Sequence, residues 1–284
     1  TDGKTLLILC EEGEEEYDPA ILEANNTVVE VIENEEDFTT DRLVAMDILH
    51  QPERVIIEYN GMWLVSNFEK MQLPTGWGVE QQITCVDGST FQMYMANMKS
   101  IFMDMIKNTD MVIFNRCKKE DPLPTYRRGI KVANQRAEVI FEDEEGELGD
   151  IFQDEMPFDM NAPVIEILPE DYGIWFVDAM DHPENYEGKT VKFKARVMKP
   201  RGMGSKFFVP GRTAMTCCAD DTTFLGYVCK SAYAPKLTPG EWVEVTAKVG
   251  IEKRNEYQGE EGIVLAAEHV EQCDPLEDEM VYFN

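Results

Sequence analysis

Short apolar runs recur at regular intervals through the first half of the chain. Six of them are rich in Val, Ile and Leu, which is typical of buried strands, and they lie at Thr5–Cys10, Thr27–Ile32, Val55–Glu58, Gln82–Val86, Met111–Phe114 and Ala137–Phe141. Segments with helical spacing separate these runs. Strands that alternate with helices predict an α/β fold with a mostly parallel sheet.

One helical segment is especially clear, because its apolar residues recur at steps of four and three. These residues are Phe91, Met95, Met98, Phe102 and Met105, which would form one face of an amphipathic helix. Thioether sulfur is a soft and adaptable ligand, so the methionines could also mark a copper site or a contact surface. The helical spacing favours core packing over both alternatives.

The pattern changes after residue 141. Glu142–Pro169 combines an acidic run with glycines and prolines and is predicted to be a linker, and Ile174–Tyr186 is predicted to be a short helix. Alternating apolar and polar residues then predict five or six strands, at Thr190–Val197, Thr213–Cys218, Phe224–Cys229, Trp242–Val249 and Gly262–His269. Short strands with frequent turns predict a small all-β, OB-like barrel.

These patterns predict three regions. The first is an α/β domain over residues 1–155. A linker with a short helix follows over 156–187, and the barrel occupies 188–284.

Charge is distributed unevenly along the 284 residues. The chain has 55 acidic and 26 basic side chains, and residues 1–187 hold 41 of the acidic and 13 of the basic ones. A field of this sign repels phosphate backbones, and we find no basic patches, so we expect no nucleic-acid partner. A metal cation or a basic protein surface would be attracted, although excess acid most often serves solubility.

The sequence also predicts a compartment. No apolar run approaches the roughly 20 residues of a membrane-spanning helix, and no basic segment followed by an apolar one opens the sequence. Seven cysteines are spread thinly along the chain, unlike the dense, even set of a disulfide-rich secreted domain. We therefore expect a cytoplasmic protein with reduced thiols that does not itself span a membrane.

The residues directly after the strands carry the most specific signals, because ligands of parallel sheets bind at the carboxyl ends of strands. The chain reads C-E-E-G-E-E-E-Y-D over residues 10–18, E-Y-N-G over 58–61 and N-R-C-K over 115–118. This ordered set resembles the CobW-type family of P-loop GTPases, which is associated with metal insertion and metal homeostasis. The resemblance covers most of residues 1–155.

The resemblance implies roles for the matching residues. Glu11, Gly13 and Asp18 would lie in a mobile segment that senses the nucleotide. Glu58 would be the catalytic carboxylate that holds Mg²⁺, directly or through water, and Gly61 completes its motif.

The third motif concerns the base of the nucleotide. Asn115 would hydrogen-bond the base edge, and Arg116 stands where the family has a lysine. The implied cofactors are GTP and Mg²⁺, and a transition metal could be bound as well. The alternative is that Glu58 merely ends a strand in water and that Asn115 caps a turn.

The chain departs from the family in three places. No G-x-x-x-x-G-K-[ST] occurs in it, so we expect no efficient GTP hydrolysis by the chain as given. An upstream strand and P-loop helix are expected in the native protein, and a nucleotide-free descendant is the alternative. Lys118 replaces an acidic residue that reads guanine. Acidic residues at 33–38 replace a cysteine-rich motif, so they would suit only Mg²⁺, Ca²⁺ or Mn²⁺, if they are not simply a solvated loop.

The barrel region carries a second resemblance. N-Y-E-G-K at 185–189 and M-T-C-C-A-D at 215–220 are similar to the C-terminal barrel of bacterial membrane-associated proteins found with predicted permeases. This resemblance covers about residues 174–272. Cys217, Cys218 and Cys229 form a thiol cluster that could hold a metal or act in redox chemistry, and small buried hydrophobic side chains are the alternative.

Together these features predict a CobW-like GTP-binding protein in metal homeostasis or metal delivery, which would be a GTPase only with an upstream P-loop. The alternative is a non-enzymatic interaction scaffold derived from a GTPase. In either case the predicted partner is a metal-handling or membrane-permease protein. An unpaired sheet edge, left by a missing P-loop strand, would favour oligomers.

Overall fold

A computed structural model gives the fold and describes residues 3–11, 13, 17–148, 156–216 and 222–281. The chain divides into two compact units. Unit 1 comprises Thr1–Thr84 and Met93–Asp110, and unit 2 comprises Cys85–Gln92 and Met111–Asn284.

The α/β region has alternating strands and helices, as predicted. In chain order its elements are β1 (Thr5–Leu9), α1 (Pro19–Ala24), β2 (Thr27–Val31), α2 (Thr40–His50), β3 (Arg54–Glu58), α3 (Val65–Lys70), β4 (Ile83–Asp87), α4 (Phe91–Ile106), β5 (Met111–Asn115), α5 (Leu123–Ala133), β6 (Glu138–Asp143) and β7 (Gly146–Glu147). All six predicted strands are confirmed to within two residues. The predicted methionine-rich helix is confirmed as α4, although its backbone leaves helical geometry at Met98.

Unit 1 is built on a parallel sheet of order β2-β1-β3. The central strand β1 is an uninterrupted apolar run and is buried along nearly its whole length, as expected for the middle of a parallel sheet. Helix α2 begins after Thr39, whose hydroxyl accepts a hydrogen bond from the Arg42 N–H. Its Leu43 and Met46 pack into the core beneath β1.

The remaining strands of the α/β region form a second sheet, of order β4-β5-β6-β7. Strands β5 and β6 are parallel, and β7 returns antiparallel to β6. The sequence predicted one mostly parallel sheet, whereas the described strands form two. The reason is that β3 pairs only with β1, and β4 only with β5, among the described strands.

The C-terminal region contains a closed five-stranded β-barrel. The elements from residue 165 onward are β8 (Ile165–Glu166), α6 (Tyr172–Asp181), β9 (Thr190–Met198), β10 (Phe207–Met215), β11 (Thr222–Gly226), β12 (Val228–Lys230), β13 (Trp242–Lys253), β14 (Glu261–Gln272) and β15 (Met280–Val281). The barrel closes in the order β9-β10-β12-β14-β13-β9. Only β12 and β14 run parallel within it.

Four barrel strands differ from their predicted bounds, and of these β13 and β14 simply run four and three residues beyond their predicted ends. Strand β10 begins at Phe207 rather than Thr213, because Pro210 and Gly211 obscure the alternation although both residues pair with β9. The run predicted at Phe224–Cys229 is divided into β11 and β12. Among the described residues, no helix has the length and apolar character needed to cross a membrane.

Helix α6 and part of α5 share the barrel core. Tyr172 and Trp175 of α6 are fully buried in it, and Val132 of α5 joins the same cluster. Arg127 of α5 also forms an ion pair of 2.9 Å with Asp181 of α6. These contacts explain why β5, α5 and β6 group with the barrel in unit 2. The predicted domain limits at residues 155 and 187 stay predictions.

Candidate functional site

The carboxyl ends of β1 and β3 bring three of the predicted site residues together in unit 1. The backbone N–H of Gly61 donates a hydrogen bond of 3.2 Å to Oε2 of Glu11. Glu58 ends β3, and its Oε2 accepts a hydrogen bond of 2.7 Å from the hydroxyl of Tyr17. We call Glu11, Tyr17, Glu58, Asn60 and Gly61 the β3-end cluster. Its two carboxylates are exposed and lie where ligands of parallel sheets bind.

Asn60 holds the turn after β3 against the end of β1. Its Nδ2 donates to the carbonyl oxygen of Cys10 over 3.1 Å, and its Oδ1 accepts from the Met62 N–H over 2.8 Å. The Cys10 N–H donates in turn to the carbonyl oxygen of Glu58 over 2.9 Å. The backbone that carries Glu58 and Gly61 is therefore fixed from both strands.

Electrostatics keep the groups around these carboxylates neutral. Burial, together with the charge of Glu58, raises the pKa of the Cys10 thiol to about 12. The hydrogen bond to Glu58, together with burial, raises the pKa of Tyr17. Burial and the charge of Glu11 likewise raise the pKa of Tyr94, whose hydroxyl donates to the Gly61 carbonyl over 3.4 Å. The carboxylates of the β3-end cluster thus lie among neutral hydroxyl and thiol groups, an arrangement that suits a cationic ligand.

Asp18 and Gly13 lie apart from these contacts. Asp18 is the N-cap of α1, and its Oδ1 accepts a hydrogen bond of 2.8 Å from the Ala20 N–H. This contact gives Asp18 a local role in starting a helix. Gly13 is exposed, and residues 12 and 14–16 lie outside the described part of the chain. The nucleotide-sensing role of Glu11, Gly13 and Asp18 stays a prediction.

A second group of polar residues lies at the carboxyl ends of β4 and β5 in unit 2. Asp87 ends β4, and its Oδ2 forms an ion pair of 2.8 Å with Nη1 of Arg116. The Gly88 N–H donates to the carbonyl oxygen of Asn115 over 2.8 Å. We call Asp87, Gly88, Asn115 and Arg116 the β5-end cluster. Hydrogen bonds from the Ser89 hydroxyl and from Arg116 hold the pKa of Asp87 below its usual range, so Asp87 is an anion.

Backbone geometry shapes this cluster closely. Arg116 has a φ of 53°, in the left-handed region, which turns the chain sharply after β5. Gly88 lies so near this turn that a Cβ there would come within 2.7 Å of Cys117 Sγ and 3.0 Å of the Asn115 carbonyl oxygen. Only glycine permits this close approach of the two strand ends.

Asn115 carries the most informative feature of the β5-end cluster. Its Oδ1 is buried and accepts no hydrogen bond from any described residue. Buried side-chain acceptors of this kind are rare in folded proteins, and each calls for an explanation. A ligand N–H donor would satisfy this oxygen, so the residue fits the base-binding role that the resemblance implies.

The metal sites predicted in the α/β region involve Glu58 and the acidic segment 33–38. No group of three or more His, Cys, Asp or Glu side chains with metal-binding geometry occurs among the described residues. The acidic segment 33–38 borders an open groove of about 640 Å³ after β2, which Arg42 also lines. Its predicted hard-cation site stays a prediction.

The predicted thiol cluster is only partly within the described chain. Cys217 and Cys218 lie outside it, whereas Cys229 is completely buried in the barrel core on β12. Burial raises the pKa of Cys229 to about 12. A neutral buried thiol is a poor metal ligand, and its position matches the hydrophobic alternative. The three-cysteine metal site itself stays a prediction.

Sequence reasoning did not assign Tyr17 and Asp87 to these clusters. The contact of Tyr17 with Glu58 joins residues 41 positions apart, which no local pattern encodes. Asp87 had a usable signal, because it directly follows an apolar strand in the same way as Glu58. A carboxylate at that position could have been paired with the cation of Arg116.

Comparison with known proteins concerns mainly the barrel region. Residues 147–283 match the DUF1980 C-terminal domain family, whose description states no activity. The matched span contains the stretch over which the sequence resembled a permease-associated barrel. No curated protein matches the chain.

Solved structures with similar segments are distant. A mitochondrial single-stranded DNA binding protein of S. cerevisiae, Rim1, is 10% identical, with a TM-score of 0.19, and the match covers 30% of this chain and 95% of that one. An aspartyl tRNA synthetase from Entamoeba histolytica is 14% identical, with a TM-score of 0.23, and the match covers 42% of this chain and 27% of that one. Likenesses this low carry no functional argument.

Proposed function

We propose that the chain is a CobW-like protein that binds a guanine nucleotide with Mg²⁺ and serves metal homeostasis or metal delivery in the cytoplasm. The support comes from three motifs that follow β1, β3 and β5 in the order of that family. The observation that carries the proposal is the buried Oδ1 of Asn115 at the carboxyl end of β5, which accepts no hydrogen bond from the described part of the chain.

The unpaired oxygen of Asn115 favours a ligand with N–H donors. Leaving a buried acceptor without a partner costs about 1–3 kcal/mol, so a donor that reaches it regains that free energy. The Watson–Crick edge of guanine carries such donors. The neighbouring ion pair between Asp87 and Arg116 fixes the turn that holds Asn115 in place.

Glu58 is the residue proposed to hold Mg²⁺. Its carboxylate ends β3 at the exposed edge of the sheet, and carboxylate oxygen is a preferred Mg²⁺ ligand. When bound, the ion would supply a positive charge at this strand end. The hydroxyl of Tyr17 now bonds Glu58 and would turn away to release the oxygen. Because the sequence contains no phosphate-binding loop, hydrolysis is not part of the proposal.

The barrel completes the proposal as an OB-like module. Its closed order, with one parallel pair between β12 and β14, supports that assignment. We assign it a contact with a metal-handling or permease protein, since residues 188–284 carry 14 acidic and 13 basic side chains and so lack the net positive charge that attracts a phosphate backbone.

Titration of the chain with a fluorescent N-methylanthraniloyl GTP in Mg²⁺ buffer tests the base contact. Replacing Asn115 with Ala should weaken binding about tenfold or more, since a hydrogen bond in a buried site is lost. Asn97→Ala is the matched control, because Asn97 is exposed and its side-chain amide donates to the Met93 carbonyl oxygen of its own helix. Equal affinities of the two variants would contradict the assignment.

A second candidate is a non-enzymatic scaffold that binds partner proteins. The observation that favours it is that Glu58 and Arg116 are already engaged within the chain, by Tyr17 and Asp87. Under this alternative the contacts at the ends of β3 and β5 only stabilise the fold. The titration would then show no binding of nucleotide to the unmodified chain.

A further inference from the structure

The strand β3 lies at an edge of the unit 1 sheet. It pairs with β1 on one side and with no described strand on the other. Natural edge strands are usually protected by charged side chains, proline or bulges that discourage pairing with another chain. The middle of β3, Val55-Ile56-Ile57, carries none of these devices.

The opposite edge of the same sheet is protected. Strand β2 carries Glu30 in its second half, and its carboxylate contacts His50 Nε2 at 2.7 Å and Arg42 Nη2 at 3.6 Å. A charged group therefore occupies the β2 edge. Of the two edge strands of the unit 1 sheet, β3 is the one whose three central residues are all apolar.

The side chains of β3 divide between two faces of the sheet. Val55 and Ile57 pack against the core. Arg54, Ile56 and Glu58 point to the other face and are exposed, and Ile56 retains 48% of its accessible surface. The exposed face therefore presents a cation, an apolar centre and an anion in a line. Arg54 forms no ion pair with any described residue.

This order is complementary to itself in the antiparallel sense. If two β3 strands pair about a two-fold axis through Ile56, Arg54 of one copy lies opposite Glu58 of the other, twice. The two Ile56 side chains then meet at the centre. Opposite charges and β-branched residues directly across from one another are favourable cross-strand pairs, and a two-fold interface of this kind is isologous.

From this geometry we propose that two copies of the chain associate through antiparallel pairing of their β3 strands. The partner is a second copy, because Arg-Val-Ile-Ile-Glu complements its own reversed order. A five-residue ladder is a small interface, and each copy carries a net charge of −29, so the dimer is concentration-dependent. The proposal does not depend on nucleotide binding.

Sedimentation equilibrium over a wide range of protein concentration tests this pairing, in buffer with EDTA and without nucleotide. The unmodified chain should show a reversible monomer–dimer equilibrium. Ile56→Lys places a charge at the centre of the interface and should abolish the dimer. Val31→Lys is the matched control, since Val31 is an exposed apolar residue at the end of β2, and it should leave the dimer unchanged.

Charge reversal tests the register. Arg54→Glu or Glu58→Arg alone should weaken the dimer about fivefold or more, because like charges then face each other. The double variant restores opposite pairs and should return the dimer constant to near its original value. Circular dichroism confirms that each variant folds.

Three outcomes would overturn the proposal. They are a monomer at every concentration, a dimer that survives Ile56→Lys, and a double reversal that fails to restore association. Since none of these measurements involves nucleotide, they leave the titration of Asn115 variants as an independent test of the proposed function.

Discussion

At the scale of single residues, Arg212 shows how one buried cation joins distant parts of the barrel region. It is only 2% exposed, and its Nη2 donates to the carbonyl oxygens of Asp278 and Met280, each over 3.0 Å. Its Nη1 donates to the carbonyl oxygen of Pro169. Burial lowers the pKa of the guanidinium. Arg212 therefore links β10 to the segment that precedes the barrel in the sequence, at Pro169, and to the segment that follows it, at Asp278 and Met280.

Replacing Arg212 with Met should destabilise the protein by about 3 kcal/mol, because buried carbonyls lose their donor while the side-chain volume is nearly kept. Urea unfolding followed by circular dichroism measures this change. Arg196→Met is the control, since Arg196 is exposed and donates one bond to the Gly240 carbonyl. A loss of stability no larger than that of the control would contradict the linking role.

At the scale of elements, the barrel depends on close approach between β10 and β11. A Cβ at Gly211 would lie 2.3 Å from the backbone oxygen of Leu225. Gly211→Ala should therefore destabilise the barrel by about 2 kcal/mol or more, because backbone has to move. Gly250→Ala is matched to it, since the nearest atom there is 3.7 Å away. Equal melting temperatures of the two variants would contradict this packing.

Elements were predictable from the sequence to the extent that their signals are local. Apolar runs located β1 to β6, and steps of four and three located α4. The start of β10 was not predictable, because Pro210 and Gly211 interrupt the alternation that marks a strand, although both residues pair with β9. The separation of the α/β strands into two sheets was not predictable either, since the pairing of strands depends on residues that are far apart in sequence.

The residues of the candidate site were also predictable only where their signals are local in the sequence. Glu58 and Asn115 were found because each directly follows an apolar strand. The Tyr17 hydrogen bond to Glu58 was missed, because it joins two loops that sequence spacing does not relate.

At the scale of the whole molecule, thiol and phenol groups in the protein interior make the free energy of unfolding decrease at alkaline pH. Burial is the main cause that raises the pKa values of Cys10, Tyr59 and Cys229 to about 12. The folded protein holds these protons at pH values where the unfolded chain has begun to release them. The free energy of unfolding therefore has its maximal contribution from these groups below about pH 9 and decreases as the pH rises toward 12.

Urea unfolding at a series of pH values above neutrality checks this expectation. The free energy of unfolding should decrease steadily above about pH 9. Cys229→Val removes one buried proton and should make the decrease less steep. A flat profile, or an unchanged slope in this variant, would contradict the account.

The measurement that tests the central claim most directly is competition for the N-methylanthraniloyl GTP bound to the unmodified chain in Mg²⁺ buffer. Excess GTP should displace the fluorescent nucleotide, ATP should compete far less well, and EDTA or Glu58→Gln should weaken binding. Glu53→Gln, at an exposed position just before β3, should leave it unchanged. Absence of saturable binding, or equal displacement by GTP and ATP, would contradict a guanine nucleotide site.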